Sequence, residues 1–242
     1  MTRDDPPARP FRRRLLAALA LAPAAPWAAL AAPAGPWAAA RAARAPGLIA
    51  AEVCRATPEL TEGPFYLDPR LDRADVTEGL PGLPVELALQ VVDADCAPIP
   101  GARVEIWQCD ALGAYSGVGQ RPGTTFLRGA QPAGADGVAR FRTLYPGWYP
   151  GRAPHIHFKA RLDGGRVLTS QLFFPDALSR RVYAEVAPYD GRGGRPTTFN
   201  ANDRIAAAGG SATLADVEMR RDGIAAALVV GVDPRARRSR SG

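Results

Sequence analysis

The stretch Pro154-His155-Ile156-His157-Phe158-Lys159-Ala160-Arg161-Leu162 alternates strictly between polar and apolar residues. A period of two is the signature of a β-strand, because successive side chains leave a strand on opposite faces. Ile156, Phe158, Ala160 and Leu162 therefore offer a face to a hydrophobic core, while His155, His157, Lys159 and Arg161 share the other. Asp163-Gly164-Gly165 follows as a three-residue hairpin loop, so Leu162 pairs with Arg166 and Gln171 falls opposite His157 on the same face. A slip of one residue would destroy that placement. Upstream, Val85, Leu87, Leu89 and Val91 alternate with Glu86, Ala88 and Gln90. Strands are predicted over 85–93, 102–109, 138–144, 155–162, 166–174 and 224–232, the first two as a hairpin, separated by loops such as Pro98-Ile99-Pro100-Gly101 and Gly134-Ala135-Asp136-Gly137. The expected fold is all-β, an antiparallel β-sandwich with long loops and at most short helices, near 176–186 and 201–206.

The chain has 242 residues, of which 25 are Gly and 24 Pro, which argues against helical bundles and fits one folded body. Its formal charge of +6 sits at the two ends and leaves residues 45–234 net acidic, so no nucleic-acid surface is expected on the folded part. Arg12, Arg13 and Arg14 precede a short apolar run and an Ala-rich stretch broken by Pro23, Pro26, Pro33 and Pro36. This reads as an export signal of twin-arginine type over residues 1–40, sending the protein to the periplasm or the medium. The prolines exclude stable membrane insertion. A linker over 41–53, a body over 54–234 and a basic tail over 235–242 complete the organisation. Three cysteines in an exported chain permit one disulfide. A Cys96–Cys109 bridge is too long across the expected hairpin, which leaves Cys54 with one of the other two.

His155 and His157 are the only histidines in the chain. Two imidazoles two residues apart on a strand can share one metal ion. Zinc hydrolases and cupin-like sites built on the same spacing need a third histidine, so the remaining ligands must come from Asp, Glu, Cys or Tyr. Tyr115 ends the segment Trp107-Gln108-Cys109-Asp110-Ala111-Leu112-Gly113-Ala114-Tyr115, and Tyr149 sits six residues before His155. Two tyrosinates with two imidazoles favour ferric iron, whose charge would hold both phenols ionised. The alternatives are an exported β-sandwich binding module without catalysis and a zinc hydrolase.

The block Pro146-Gly147-Trp148-Tyr149-Pro150-Gly151-Arg152-Ala153-Pro154-His155-Ile156-His157-Phe158 resembles the intradiol ring-cleavage dioxygenases, the family of protocatechuate 3,4-dioxygenase and catechol 1,2-dioxygenase. Thr61-Glu62-Gly63-Pro64-Phe65-Tyr66, Ile106–Ser116 and Leu168–Phe174 support it in the same order. The resemblance implies one Fe(III) per chain bound by Tyr115, Tyr149, His155 and His157, with Tyr149 and His157 axial. It implies Arg152 and Gln171 as groups that stabilise charge on the substrate, Tyr149 as a base, and Thr61, Gly63, Pro64, Phe65 and Tyr66 as a wall of the substrate pocket. The implied reaction is O2-dependent cleavage of a catechol to a cis,cis-muconate-type diacid. Both the Thr61 block and the ligand block lie in this one chain, which is compatible with a homo-oligomer. Trp148 and Tyr145 are read as core or rim aromatics.

Overall fold

The structure, a computed structural model, describes residues 55–68, 70–194 and 196–232. The segments read as export signal and basic tail, and Cys54, lie outside them. Among the described residues eight strands form two four-stranded sheets: β1 (Pro84–Val92), β2 (Arg103–Trp107), β3 (Arg128–Pro132), β4 (Val138–Leu144), β5 (His155–Arg161), β6 (Val167–Phe173), β7 (Asp216–Arg220) and β8 (Gly223–Gly231). The first sheet has the order β4-β1-β8-β7 and the second β3-β2-β5-β6. The two α-helices among the described residues are short: α1 (Asp176–Glu185) falls where the sequence places it, and α2 (Arg204–Gly209) begins three residues later than the run expected near 201–206. No described helix is long and apolar enough to cross a membrane.

One cluster of buried side chains draws on both sheets. Val85, Leu87, Leu89 and Val91 of β1 and Ile224, Ala226, Leu228 and Val230 of β8 belong to it, as do Val104 and Ile106 of β2, Ile156, Phe158 and Ala160 of β5, and Leu168 and Leu172 of β6. The period-two pattern thus chose the buried face of each central strand, through the transfer of these side chains out of water. Tyr145 closes the cluster at one end, fully buried, with its hydroxyl 2.7 Å from Ser179 Oγ. Trp148 packs at the edge of the same cluster.

Three expectations need correction. The fold is not wholly antiparallel, since β1 runs parallel to β8 with Leu87 opposite Ala226. A parallel pair needs a long crossover, which the excursion of the chain through the entire second sheet provides. Residues 85–93 and 102–109 do not form a hairpin either, because β1 and β2 lie in different sheets. Finally, β3 and β7 escaped the sequence pattern. Both are edge strands, and an edge tolerates the Gly and Pro of Arg-Gly-Ala-Gln-Pro and needs no alternating apolar face.

The β5–β6 hairpin matches its prediction: Leu162 N–H donates to Arg166 O at 2.9 Å, and His157 pairs with Gln171. The polar face of β5 is not solvated, however. His155, His157 and Lys159 are all buried, beneath the segment that contains residues 61–66. Lys159 pairs with Glu62 and holds its Nζ 3.3 Å from the centroid of the Tyr66 ring. Tyr66 Oη donates to Glu105 Oε2 at 2.9 Å, and Arg161 Nε donates to Glu105 Oε1 at 2.5 Å. Burial, with Glu105 beside it, pushes the Tyr66 phenol up to about 12. These contacts fasten the segment over the histidines.

Candidate metal centre and active site

Two loops must meet for Tyr115 and Tyr149 to share a site. The first is folded on Asp110, whose carboxylate accepts the amides of Leu112 and Ala114, both at 2.9 Å. Ser116 then anchors its end by donating to Phe126 O at 2.6 Å. The second loop crosses the first at Gly147, whose amide donates to Asp110 O at 3.0 Å. A Cβ on Gly147 would stand 2.4 Å from Asp110 O and 2.6 Å from Ala111 O, so only glycine permits this crossing. The Cys109 thiol, buried beneath it, donates to Gly147 O at 3.4 Å.

The crossing brings four side chains into a chain of close contacts. Tyr115 Oη lies 3.4 Å from Tyr149 Oη, Tyr149 Oη 3.0 Å from His155 Nε2, and His155 Nε2 3.1 Å from His157 Nε2. His155 Nδ1 lies 2.6 Å from Ala153 O, a contact that requires Nδ1 to carry the proton and leaves the lone pair of Nε2 directed into the cluster. His157 stacks on Trp107 at 4.8 Å between ring centroids, and its Nδ1 is buried without a hydrogen-bond partner. Across the second sheet, Arg128, Trp107, His157 and Gln171 occupy one row of paired positions.

Electrostatics favours the neutral form of all four groups. Burial, then the positive charge of Arg152, lowers the His155 imidazole to about 3, and burial followed by His155 and Arg152 holds His157 well below its ordinary value. Burial raises Tyr115 well above the usual phenol range and pushes Tyr149 up to about 12. Neutral imidazoles present the lone pairs that a metal requires. The phenols, by contrast, ionise near neutral pH only if a multivalent cation sits among them. Among the described residues there is no group of three or more His, Cys, Asp and Glu side chains able to hold a metal. The oxygen atoms that stand next to the two imidazole nitrogens are those of the tyrosines. This donor set fits ferric iron.

The residues expected around the ligands gather here. Arg152 Nη2 donates to Gln171 Oε1 at 2.6 Å, and Gln171 Nε2 donates to Thr61 O at 2.8 Å. Gly63 has φ +70°, and a Cβ there would lie 3.3 Å from His157 Cε1. Phe65 stacks on Tyr115 at 4.5 Å. Pro64 completes the turn between them. Tyr66 is the member that points elsewhere, toward Glu105 and Lys159.

A family model described as Dioxygenase matches residues 62–180. The hydroxyquinol 1,2-dioxygenase of Nocardioides simplex is 31% identical over 139 residues, which cover 49% of this chain and 47% of that protein. An intradiol ring-cleavage dioxygenase from Tetranychus urticae is 30% identical with a TM-score of 0.70, over 77% of this chain and 98% of that one. The chain belongs to the intradiol ring-cleavage dioxygenases. Also similar is the dioxygenase domain of a dioxygenase–carbohydrate-binding fusion from Streptomyces sp. SirexAA-E, 31% identical with a TM-score of 0.58 over 74% of this chain and 99% of that domain. The chain spans about half the length of the curated relatives it matches.

Three residues around this site have no role that the sequence alone discloses. Trp107 supports His157, Asp110 folds the Tyr115 loop, and Asp203 accepts Arg152 Nε at 2.9 Å. Asp203 is an N-cap residue type, but it lies inside the run expected near 201–206, and nothing in the sequence joined it to a residue 51 positions earlier. Of the cysteines, Cys96 is disulfide-bonded and Cys109 is free and buried. A Cys96–Cys109 bridge is thereby excluded, though not by the hairpin on which that expectation rested.

Proposed function

We propose that this protein is an Fe(III)-dependent enzyme that uses O2 to cleave a catechol-type ring between its hydroxyl-bearing carbons, releasing a cis,cis-muconate-type diacid. The reading rests on one observation above the others: two phenol oxygens and two imidazole nitrogens follow one another at 3.4, 3.0 and 3.1 Å, with the His155 lone pair turned inward. Tyr115, Tyr149, His155 and His157 would hold one iron per chain. Ferric iron, when bound there, supplies the Lewis acidity that keeps a catechol ionised and opens its ring to O2.

The protein's own groups divide the remaining work. Tyr149 is the less buried of the two phenols, and its Oη is the atom best placed to accept a catechol proton. Arg152 and Gln171, joined at 2.6 Å, present a preorganised positive edge to charge developing on the ring. Thr61, Gly63, Pro64 and Phe65 wall the site and exclude water, which strengthens each of these interactions. The two sheets are read as the face-to-face layers of a β-sandwich that carries the site on one outer face. The body over 54–234 is the catalytic unit, residues 1–40 direct its export, and assembly is homomeric.

The test is turnover by purified, iron-loaded protein on catechol, hydroxyquinol, chlorocatechol and protocatechuate under O2, with mass analysis of products made in 18O2. A diacid carrying two labelled oxygens is expected. A yellow semialdehyde, from cleavage outside the diol, overturns the reaction, and zinc in the native protein overturns the metal. N-terminal sequencing of the exported protein tests removal of residues 1–40.

A further inference from the structure

Asp203 is buried, and its two carboxylate oxygens do different work. Oδ1 accepts the amides of Ile205 at 2.8 Å and Ala206 at 3.3 Å, which caps α2. Oδ2 accepts Arg152 Nε at 2.9 Å and the Ala153 amide at 2.8 Å. One carboxylate thus ties the start of a helix to the loop that ends in His155. Arg152 is held at a second point by Nη2 on Gln171 Oε1, and its Nη1 makes no hydrogen bond among the described residues. Two attachments on adjacent edges of a planar guanidinium fix its plane and rotation. A free arginine side chain would lose rotamer entropy on being ordered by substrate.

We propose that Asp203 is the positioning residue of this site: anchored by three backbone amides, it fixes the Arg152 guanidinium so that one edge meets Gln171 and Nη1 remains for the ligand. The inference rests on the ring-cleavage reading above. Asp203 touches no reacting atom and acts through Arg152. The rival account is that Asp203 merely caps α2. The two accounts separate because Asp203→Asn retains a capping oxygen for Ile205 and Ala206 while turning an NH2 toward the donors of Arg152 and Ala153, where no acceptor remains.

The experiment is a double-mutant cycle on the iron-loaded enzyme with Arg152→Ala, Asp203→Asn and the double variant, read as kcat, KM and Tm. Arg152→Ala is expected to lower kcat about 10²-fold, the size typical of one lost preorganised group. Asp203→Asn should lower kcat by a similar factor with KM little changed, as for an interaction made in the transition state, and with Tm lowered by a few degrees, because the buried Ala153 amide loses its acceptor. The double variant should lose no more than Arg152→Ala alone. Asp203→Ser, which keeps a capping oxygen, replaces Asp203→Asn if that variant fails to fold. Multiplicative losses in the double variant, or a kcat unchanged in Asp203→Asn, overturn the positioning role. Absence of ring cleavage by the wild type overturns the reading beneath it, and the inference falls with it.

Discussion

Replacing Gly147 by alanine tests how the two tyrosines are brought together. Gly147 is not among the positive-φ residues, so alanine suffers no backbone strain there and the perturbation is purely steric. Its Cβ would lie 2.4 Å from Asp110 O and 2.6 Å from Ala111 O, both main-chain atoms that no rotamer change can move. Restoring an ordinary contact of about 3.4 Å displaces one loop from the other by roughly 1 Å. Two consequences follow. The amide bond to Asp110 O stretches from 3.0 Å toward rupture, and with the overpacking this costs about 1–3 kcal/mol of stability. The Tyr115–Tyr149 oxygen separation of 3.4 Å changes by about twice the roughly 0.5 Å that a metal site tolerates. Urea unfolding of the metal-free protein should therefore show the stability loss at unchanged m-value, and iron-loaded Gly147→Ala should bind less metal with a shifted tyrosinate-to-iron absorption. Gly193→Ala, where an added Cβ meets nothing within 4 Å, is the matched control and should leave the site intact. Full iron content and wild-type stability in Gly147→Ala would refute the reasoning.

Other outcomes can be checked alongside. On the proposed site, His157→Ala removes a donor that no other histidine can replace, so metal analysis should find iron lost, whereas Tyr149→Phe should retain part of it with altered colour. Phe158→Ala empties a fully buried position on the core face of β5 and should cost about 3–5 kcal/mol in denaturant titrations, with the histidines on the opposite face undisturbed in the surviving folded protein. Burial pushes the Cys109 thiol up to about 12, so at pH 8 it should resist a thiol reagent in the native protein and react once urea unfolds the chain. The sign follows from the shift: the neutral thiol is favoured on folding, so its contribution to stability is complete below an ordinary thiol pKa of about 8.5 and is lost as pH rises above it.

Much of this protein was written in short-range patterns. The alternation in residues 154–162 determined that β5 exists, which face of it meets the core and that both histidines share the other face, because a strand's period of two is a local property of the backbone. The loop Asp163-Gly164-Gly165 then set the register, and with it Gln171 opposite His157. The scarcity of histidine limited any further ligands to Asp, Glu, Cys or Tyr, and it was the resemblance that pointed to Tyr115 and Tyr149. Only the tertiary structure decided the rest. The parallel β1–β8 pair depends on where a chain returns after passing through a second sheet, which no local pattern encodes. The edge strands β3 and β7 form because a neighbour offers hydrogen bonds, whatever their own sequence prefers. Burial of the polar face of β5 required the segment around residues 61–66 to lie across it, held through Lys159, Glu62, Tyr66 and Glu105. The link from Asp203 to Arg152 joins residues 51 positions apart through one carboxylate. Such contacts are settled by the packing of whole elements, since a side chain carries its chemistry in the sequence but acquires its partner only when the chain has folded around it.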